Sequence, residues 1–483
     1  MDISQKEWRD IGGEFVFEQL NTMTPYGTQR KQQRKLYRPN QKEELMEELQ
    51  AVEAYYQALT ERPSAIHYLQ YEFCRVKDIR RSIERVKKGG ILDDLEFFEL
   101  KIFLDAIDQV IAKYPLMQAS RENELVPLDA IRNRLDPEAT GRMTFYIYDA
   151  YSKRLTLLRK HQRDLEAKIS REEDETKKEE LLRERASLLI AQEKEEREIR
   201  IELSSMVQKH ADTILENMDA LGRLDHRIAK AVLAKEYGGC MPQITEAGGV
   251  KLVEAINPLL SDILSKKGED FQRLSISVST GTSIVTGANM GGKSVSLKTI
   301  LLNAMVAHLG MFPFAKEAHI SLFDFFFYLG DDFEDISAGL SSFGAEIIKL
   351  SDVFQKSQRQ RGMILLDEPL RGTNPREGRA ILLGLVRRFV ETDHLLIVST
   401  HFESLVEEGM THYQVRGLKD VDFEELASAI EVDREASLSR IRKSMNFRLE
   451  EVEAGEDVPR DALRISELLG LDATLVEEIK ELL

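Results

Sequence analysis

The sequence predicts an α/β domain with a mostly parallel sheet, preceded by an all-α region and a long helical hairpin. Three observations predict it. In residues 236–410, short apolar runs (SISVS, TSIVTG, ISLFDFFFYLG, GMILLDE, HLLIVST) alternate with helical patterns. Near-continuous apolar strands between helices mark a parallel sheet covered on both faces. In residues 146–235, a highly charged stretch carries leucines at heptad-like steps, the pattern of paired helical arms. Residues 1–145 mix polar and apolar positions at helical spacing.

The all-α region comes first. Leu45, Leu49, Val52, Tyr56 and Leu59 line up as one apolar helix face. The segment from Gln29 to Lys42 is basic (Arg30, Lys31, Arg34, Lys35, Arg38) and reads as a solvated helix face or, alternatively, as a phosphate or partner contact. In the hairpin, Leu155, Leu158, Leu165 and Ile169 form one seam, and Leu181, Leu182, Leu188 and Leu189 repeat at heptad spacing. Ser170 to Glu180 holds no apolar residue and predicts the tip. Arms of about 20 residues would reach roughly 30 Å. The tip leans acidic, so it reads as solvated coiled coil rather than a nucleic-acid grip. The tail, residues 411–483, is charged and helical in pattern, and Leu468, Leu471, Leu475 and Ile479 make a docking stripe.

Composition bounds the rest. A chain of 483 residues exceeds one ordinary domain, and 42% hydrophobic residues suit real cores. No apolar run approaches the ~18 residues of a membrane span. The start, MDISQKEWRD, has no apolar signal region. The two cysteines, Cys74 and Cys240, form no metal pattern and suit a reducing, cytoplasmic setting. A net charge of −17 runs against a general duplex-DNA binder, whose affinity rests on a basic footprint.

The chemistry concentrates in the C-terminal half. Gly287-Ala288-Asn289-Met290-Gly291-Gly292-Lys293-Ser294 fits GxxxxGK(S/T), with a strand-like SIVT before it and a helical pattern after it. Glycines there let backbone N–H groups approach phosphate oxygens at a helix N-terminus. Lys293 would reach the β- and γ-phosphates, and the Ser294 hydroxyl would bind Mg²⁺. Further on, an apolar strand ends in Asp367-Glu368. Asp367 would hold the metal, and Glu368 would orient and deprotonate the attacking water. A third apolar strand ends in Thr400-His401, which sets His401 to contact the γ-phosphate or the water. Gly339-Leu340-Ser341-Ser342-Phe343-Gly344-Ala345-Glu346 reads by itself as a loop entering a helix with a serine cap.

Together these elements resemble the MutS branch of the ABC-type P-loop ATPases. TGANMGGKS is similar to that family's TGPNMGGKS, LLDEPLRGTNPREG to its DE-x-x-x-GT segment, STHF to its histidine loop and Ser341-Ser342-Phe343 to its STF signature. The resemblance implies ATP and Mg²⁺ as ligands. It also implies that Ser341 reaches across a dimer interface to the partner's γ-phosphate, in a homodimer or a heterodimer with a related subunit. Met23-Thr24-Pro25-Tyr26-Gly27 resembles the start of the family's core domain. Met218 to Lys230 resembles the segment where its lever helices return, and Ile465 to Leu483 its closing helical segment. The implied division is a core at 1–145, a lever hairpin at 146–235, an ATPase domain at 236–410 and a tail at 411–483 completing the ATPase and dimer interface.

Departures from the family pattern shape the expected function. No counterpart of the mismatch-reading, connector or small nuclease domains is expected. The stretch between the helical arms is too short for a DNA clamp. Asn257-Pro258 stands where the family has His-Pro, before the ATPase sheet, at a position tied to nucleotide-base contacts. Phe97-Phe98-Glu99 fits the mismatch wedge tripeptide but lies in a helical, charged segment and is assigned no role. Two clients stay open: duplex DNA, or an adenosylcobalamin-dependent enzyme. The latter follows a similarity in outline to the ATPase that reactivates aminomutases such as lysine 5,6-aminomutase. A scaffold with a degenerate site is disfavoured, because Lys293, Ser294, Asp367, Glu368 and His401 are all present.

Overall fold

In the computed structural model, the residues described are 3–113, 125–246, 248–287, 292–330, 342–402, 405–417, 446–452, 463, 466–467 and 471–482. The chain divides into two compact units. One comprises residues 1–20, 34–50 and 230–483, the other residues 21–33 and 51–229.

Up to residue 236 the described elements are all helical: α1 (Gln5–Asp10), α2 (Gly13–Gln19), α3 (Pro25–Gln33), α4 (Lys42–Glu61), α5 (Pro63–Arg75), α6 (Arg80–Lys87), α7 (Asp94–Lys113), α8 (Asp129–Leu135), α9 (Lys153–Ile169), α10 (Glu175–Lys209) and α11 (Ala211–Glu236). The face expected for α4 holds for Leu45, Leu49 and Val52, then drifts: Tyr55 and Ala58 are buried, while Tyr56 and Leu59 are half-buried. Phe97 of the wedge-like tripeptide is fully buried in α7, with its ring 5.0 Å from that of Phe145. It is a core residue. The basic segment is partly spent on structure. Arg34 pairs with Glu14 at 3.5 Å, Lys35 pairs with Glu44, and Arg38 donates to the carbonyl of Asp324.

Two sequence motifs turn out to be one contact in the helical unit. The buried Asp225 of α11 accepts hydrogen bonds from the N–H groups of Met23 and Thr24 and from the Thr24 hydroxyl, the last two at 2.6 and 2.7 Å. Thr24 Oγ1 in turn accepts from the N–H of Gly27, capping α3. Gly27 is required because a Cβ there would lie 2.2 Å from Asp225 Oδ2. Burial pushes the Asp225 carboxyl up, against the lowering effect of these donors.

α9 and α10 run antiparallel, joined by residues 170–174. Ion pairs tie the arms, Arg159 to Glu196 at 2.9 Å and Arg185 to Glu166 at 3.4 Å, and His161 Nε2 lies 3.3 Å from Glu184 Oε1. Leu155, Leu165 and Leu188 are buried, whereas Leu182 and Leu189 face solvent. One of the two leucine rows therefore makes the seam. Asp174 caps α10 by accepting from the N–H groups of Thr176 and Lys177.

The other unit holds two sheets. The first contains β1 (Gln243–Thr245), β2 (Gly249–Ala255), β3 (Leu274–Ser279) and β5 (Glu317–Ser321), in the order β1-β5-β2-β3. The second contains β4 (Gly281–Thr286), β6 (Phe325–Leu329), β7 (Gly362–Asp367), β8 (Leu395–Ser399), β9 (Thr411–Gly417) and β10 (Asn446–Val452), in the order β10-β9-β4-β8-β7-β6. Every pairing in it is parallel except β9 with the edge strand β10. The helices here are α12 (Pro258–Lys266), α13 (Lys293–His308), α14 (Ser342–Ser357), α15 (Pro375–Arg387) and α16 (Ala473–Leu482). One sheet face packs Ile284, Ile364, Leu366, Leu396 and Val398 with Leu350 and Val353 of α14 and Leu382 and Val386 of α15. α13, almost wholly buried, packs on β7 and β8. Coverage of both faces explains strands without polar alternation.

Two readings of the sequence need refinement. ISLFDFFFYLG is two strands, β5 and β6, one in each sheet. The tail read as helical contains β9 and β10 as well as α16. β9 was hidden by polar residues that point inward: His412 and Gln414 are buried, and His412 Nε2 shares a 2.8 Å hydrogen bond with Thr286 Oγ1. In α16 the buried residue is Val476, and Leu475 is exposed. Leu468 lies outside the described residues.

Candidate functional site

The site gathers at the C-terminal ends of β4, β7 and β8, the end at which parallel α/β sheets bind ligands. β4 runs into Gly287 (φ 138°), and α13 starts from Gly292 (φ 79°). Both backbones lie in regions that favour glycine. A Cβ at Gly287 would stand 2.9 Å from the Val415 side chain, and one at Gly292 would stand 3.0 Å from Phe447. Ala288, Asn289, Met290 and Gly291 lie outside the described residues, as does Ser341.

Lys293 is buried, with its ammonium donating to the Gly287 carbonyl at 2.7 Å and pairing with Glu368 Oε1 at 3.1 Å. Glu368 Oε2 meets the Arg371 guanidinium at 3.3 Å. Both oxygens of the buried glutamate are thus engaged by cations. Glu368 itself adopts φ 48° and Leu370 φ 63°, a left-handed backbone that costs about 1–3 kcal/mol for a non-glycine residue and collects at functional sites. The surrounding bonds hold it there. The Glu368 N–H donates to the Ser399 carbonyl at 3.0 Å, and the Leu370 N–H donates to Glu346 Oε2 at 3.1 Å.

Asp367 is positioned by residues the sequence reading passed over. The buried Ser399 hydroxyl donates to Asp367 Oδ1 at 2.5 Å, and the Tyr328 hydroxyl donates to Oδ2 at 3.4 Å. Ser399 sits inside the STH string and Tyr328 at the end of an apolar run, so both had positional signals. Asp367 and the half-buried Ser294 line one cavity of about 200 Å³, together with Tyr328 and Lys298. A hydroxyl and a carboxylate are hard oxygen donors suited to Mg²⁺, which keeps several of its waters. Among the described residues no group of three or more His, Cys, Asp or Glu could hold a metal.

His401 is exposed just beyond β8, with its ring 4.8 Å from that of Phe402. The Thr400 N–H donates to the Val285 carbonyl at 3.0 Å, which ties the end of β8 to β4. Asn257 is fully buried and has a different task from a base contact. Its amide donates to the Ile11 carbonyl at 2.9 Å, and its Oδ1 caps α12 at the N–H of Leu260. Among the described residues no helix is long and apolar enough to cross a membrane.

The chain is similar to known proteins over its C-terminal half. Residues 283–466 match the family model for MutS domain V. Endonuclease MutS2 of Geobacillus sp. (strain WCH70) is 29% identical over 300 residues, covering 60% of this chain and 34% of that protein. Endonuclease MutS2 of Caldicellulosiruptor saccharolyticus is 33% identical over 226 residues, covering 45% and 27%. That of Listeria monocytogenes is 32% identical over 230 residues, covering 46% and 28%. The match spans only about a quarter to a third of the length of these relatives. The domain V match opens within β4 and runs through the ends of β7 and β8, so this part of the chain carries a MutS-family ATPase domain.

Proposed function

We infer that the chain binds magnesium-ATP at the turn between β4 and α13, hydrolyses it in a composite dimer site, and uses the opening and closing to act on a bound client. The reading rests on one convergence: Lys293 lies 3.1 Å from Glu368, while Ser294 and Asp367 share a cavity beside them. Residues 1–145 serve as a core, 146–235 as a lever, 236–410 as the ATPase and 411–483 as the segment completing the dimer interface.

The chemistry follows from the side chains. Magnesium, when bound, supplies neutralising charge at the phosphates. Ser294 and Asp367 hold it. Lys293 exchanges the Gly287 carbonyl and Glu368 for phosphate oxygens. That exchange frees one oxygen of Glu368 to orient water and take its proton. His401 contacts the γ-phosphate or the water, and Ser341 of the partner subunit closes the site. Lys293→Ala abolishes turnover on this account. Glu368→Gln accumulates an ATP-bound dimer, seen as a doubled mass by light scattering. Retained turnover in the first, or only monomers in the second with ATP, contradicts it.

Two clients fit a member of this family. Duplex DNA follows from the relatives' kinship. A protein client, such as an adenosylcobalamin-dependent aminomutase to be reactivated, is favoured by one observation: residues 170–174 connect α9 directly to α10, leaving no strand-built clamp between the arms. Salt-sensitive DNA binding that stimulates ATPase activity supports the first client. Capture of a cobalamin enzyme by the Glu368→Gln protein supports the second.

A further inference from the structure

The cavity beside Ser294 and Asp367 has a second wall that comes from the far end of the chain. Glu7 and Asp10 of α1 line it, facing Lys298 of α13 and Lys349 of α14. α1 is seated by its other face: Ile3, Trp8 and Ile11 are all buried. Its exit is pinned by Asn257, whose amide holds the Ile11 carbonyl at 2.9 Å. Gly12 turns there at φ 93°, where a Cβ would meet Asn257 Oδ1 at 2.8 Å. The residue that replaces the family histidine thus fixes α1 against the ATPase sheet's neighbour α12. Glu7 and Asp10 stand one turn apart, on one side of α1. Glu7 closes the helix cap with Ser4 and lies 3.7 Å from Lys349. Asp10 is half-buried, and its carboxylate has no hydrogen bond or ion pair among the described residues.

We propose that α1 is a built-in wall of the nucleotide site, with Asp10 an outer acceptor for the water shell of the divalent cation and Glu7 the counter-ion that sets Lys349 toward the phosphates. Mixed charge suits that end of the ligand. Carboxylates accept from metal-bound water, and ammonium groups donate to phosphate oxygens. The volume of about 200 Å³ leaves room for several waters, at about 30 Å³ each. Glu7, Asp10 and Lys349 are positioning residues, since Ser294 and Asp367 hold the metal itself. The proposal rests on the ATPase reading above and deepens it.

Trp8, the sole tryptophan, makes α1 its own reporter. The experiment titrates Mg²⁺ into the full chain with a fluorescent ATP analogue and follows nucleotide binding and Trp8 emission together. Asp10→Asn and Lys349→Gln are compared with the parent, and Lys293→Ala is the control for the site. Trp8 emission without nucleotide, matching the parent's, shows that α1 is seated. The Mg²⁺ concentration for half-maximal binding rises about tenfold in Asp10→Asn, the lower range for loss of an outer-shell partner, while binding in chelator is unchanged. Lys349→Gln weakens binding in metal and in chelator alike. A parent that binds, with both variants superimposed on it, overturns the wall but leaves the ATPase reading standing. A parent that binds no better than Lys293→Ala overturns both.

Discussion

Glu368 and its neighbours show how few residues carry the account. Glu368 sits on a left-handed backbone, bracketed by Lys293 and Arg371; on the proposed function, a phosphate that competes for the lysine frees it to act as a base. Ser399 matters because it fixes the Asp367 carboxylate and accepts the Glu368 N–H. Ser399→Ala leaves a buried carboxylate oxygen without its donor, a cost of about 1–3 kcal/mol. Metal-dependent nucleotide binding weakens about tenfold as Asp367 loses its orientation; calorimetric titration with and without chelator reads it. An unchanged metal dependence removes Ser399 from the site. His308 makes a pH prediction. It is fully buried, with Nε2 accepting from the Phe323 N–H, and burial holds its pKa down to about 4 against an ordinary 6.5. Between those values the unfolded chain binds a proton that the folded chain does not. Stability is therefore full above pH 6.5 and falls as pH drops toward 4, by up to about 3 kcal/mol. His308→Gln should flatten that part of the urea-unfolding profile, and an identical slope would count against the burial argument.

At the scale of elements, the acidic strand end and the parallel strands were legible because each combines a local pattern with a flanking period. Unbroken apolar runs carried β4, β7 and β8. What stayed hidden was hidden by polar burial and by sharing. β9 points His412 and Gln414 inward, so its pattern looked helical. The β5–β6 run is continuous in sequence but feeds two sheets. Ser399 and Tyr328 are common residue types with positional signals alone, and their contact with Asp367 gives those positions meaning. The segments at Met23–Gly27 and Met218–Lys230 read as separate motifs in the sequence, and the bonds between Asp225 and Thr24 join them. Gly27→Ala tests that joint. Its methyl would overlap Asp225, and the expected loss is about 1–3 kcal/mol by thermal melting. A variant as stable as the parent would show that α3 can move freely away from α11.

Over the whole molecule, a MutS domain V match in the C-terminal half is joined to an N-terminal half whose described elements are all helical. The net charge of −17 bears on the client. A DNA-bound protein loses affinity steeply with salt as phosphate counterions are released, whereas a protein client held by apolar contacts does not. All of these steps depend on the turn between β4 and α13 taking a triphosphate. Equilibrium titration of magnesium-ATP into the purified parent and into Lys293→Ala tests this most directly. Saturable binding by the parent, weakened about tenfold or more once the phosphate-contacting cation is removed, is the expected result. A folded parent with no affinity for magnesium-ATP, or a variant that binds it equally well, would contradict the account.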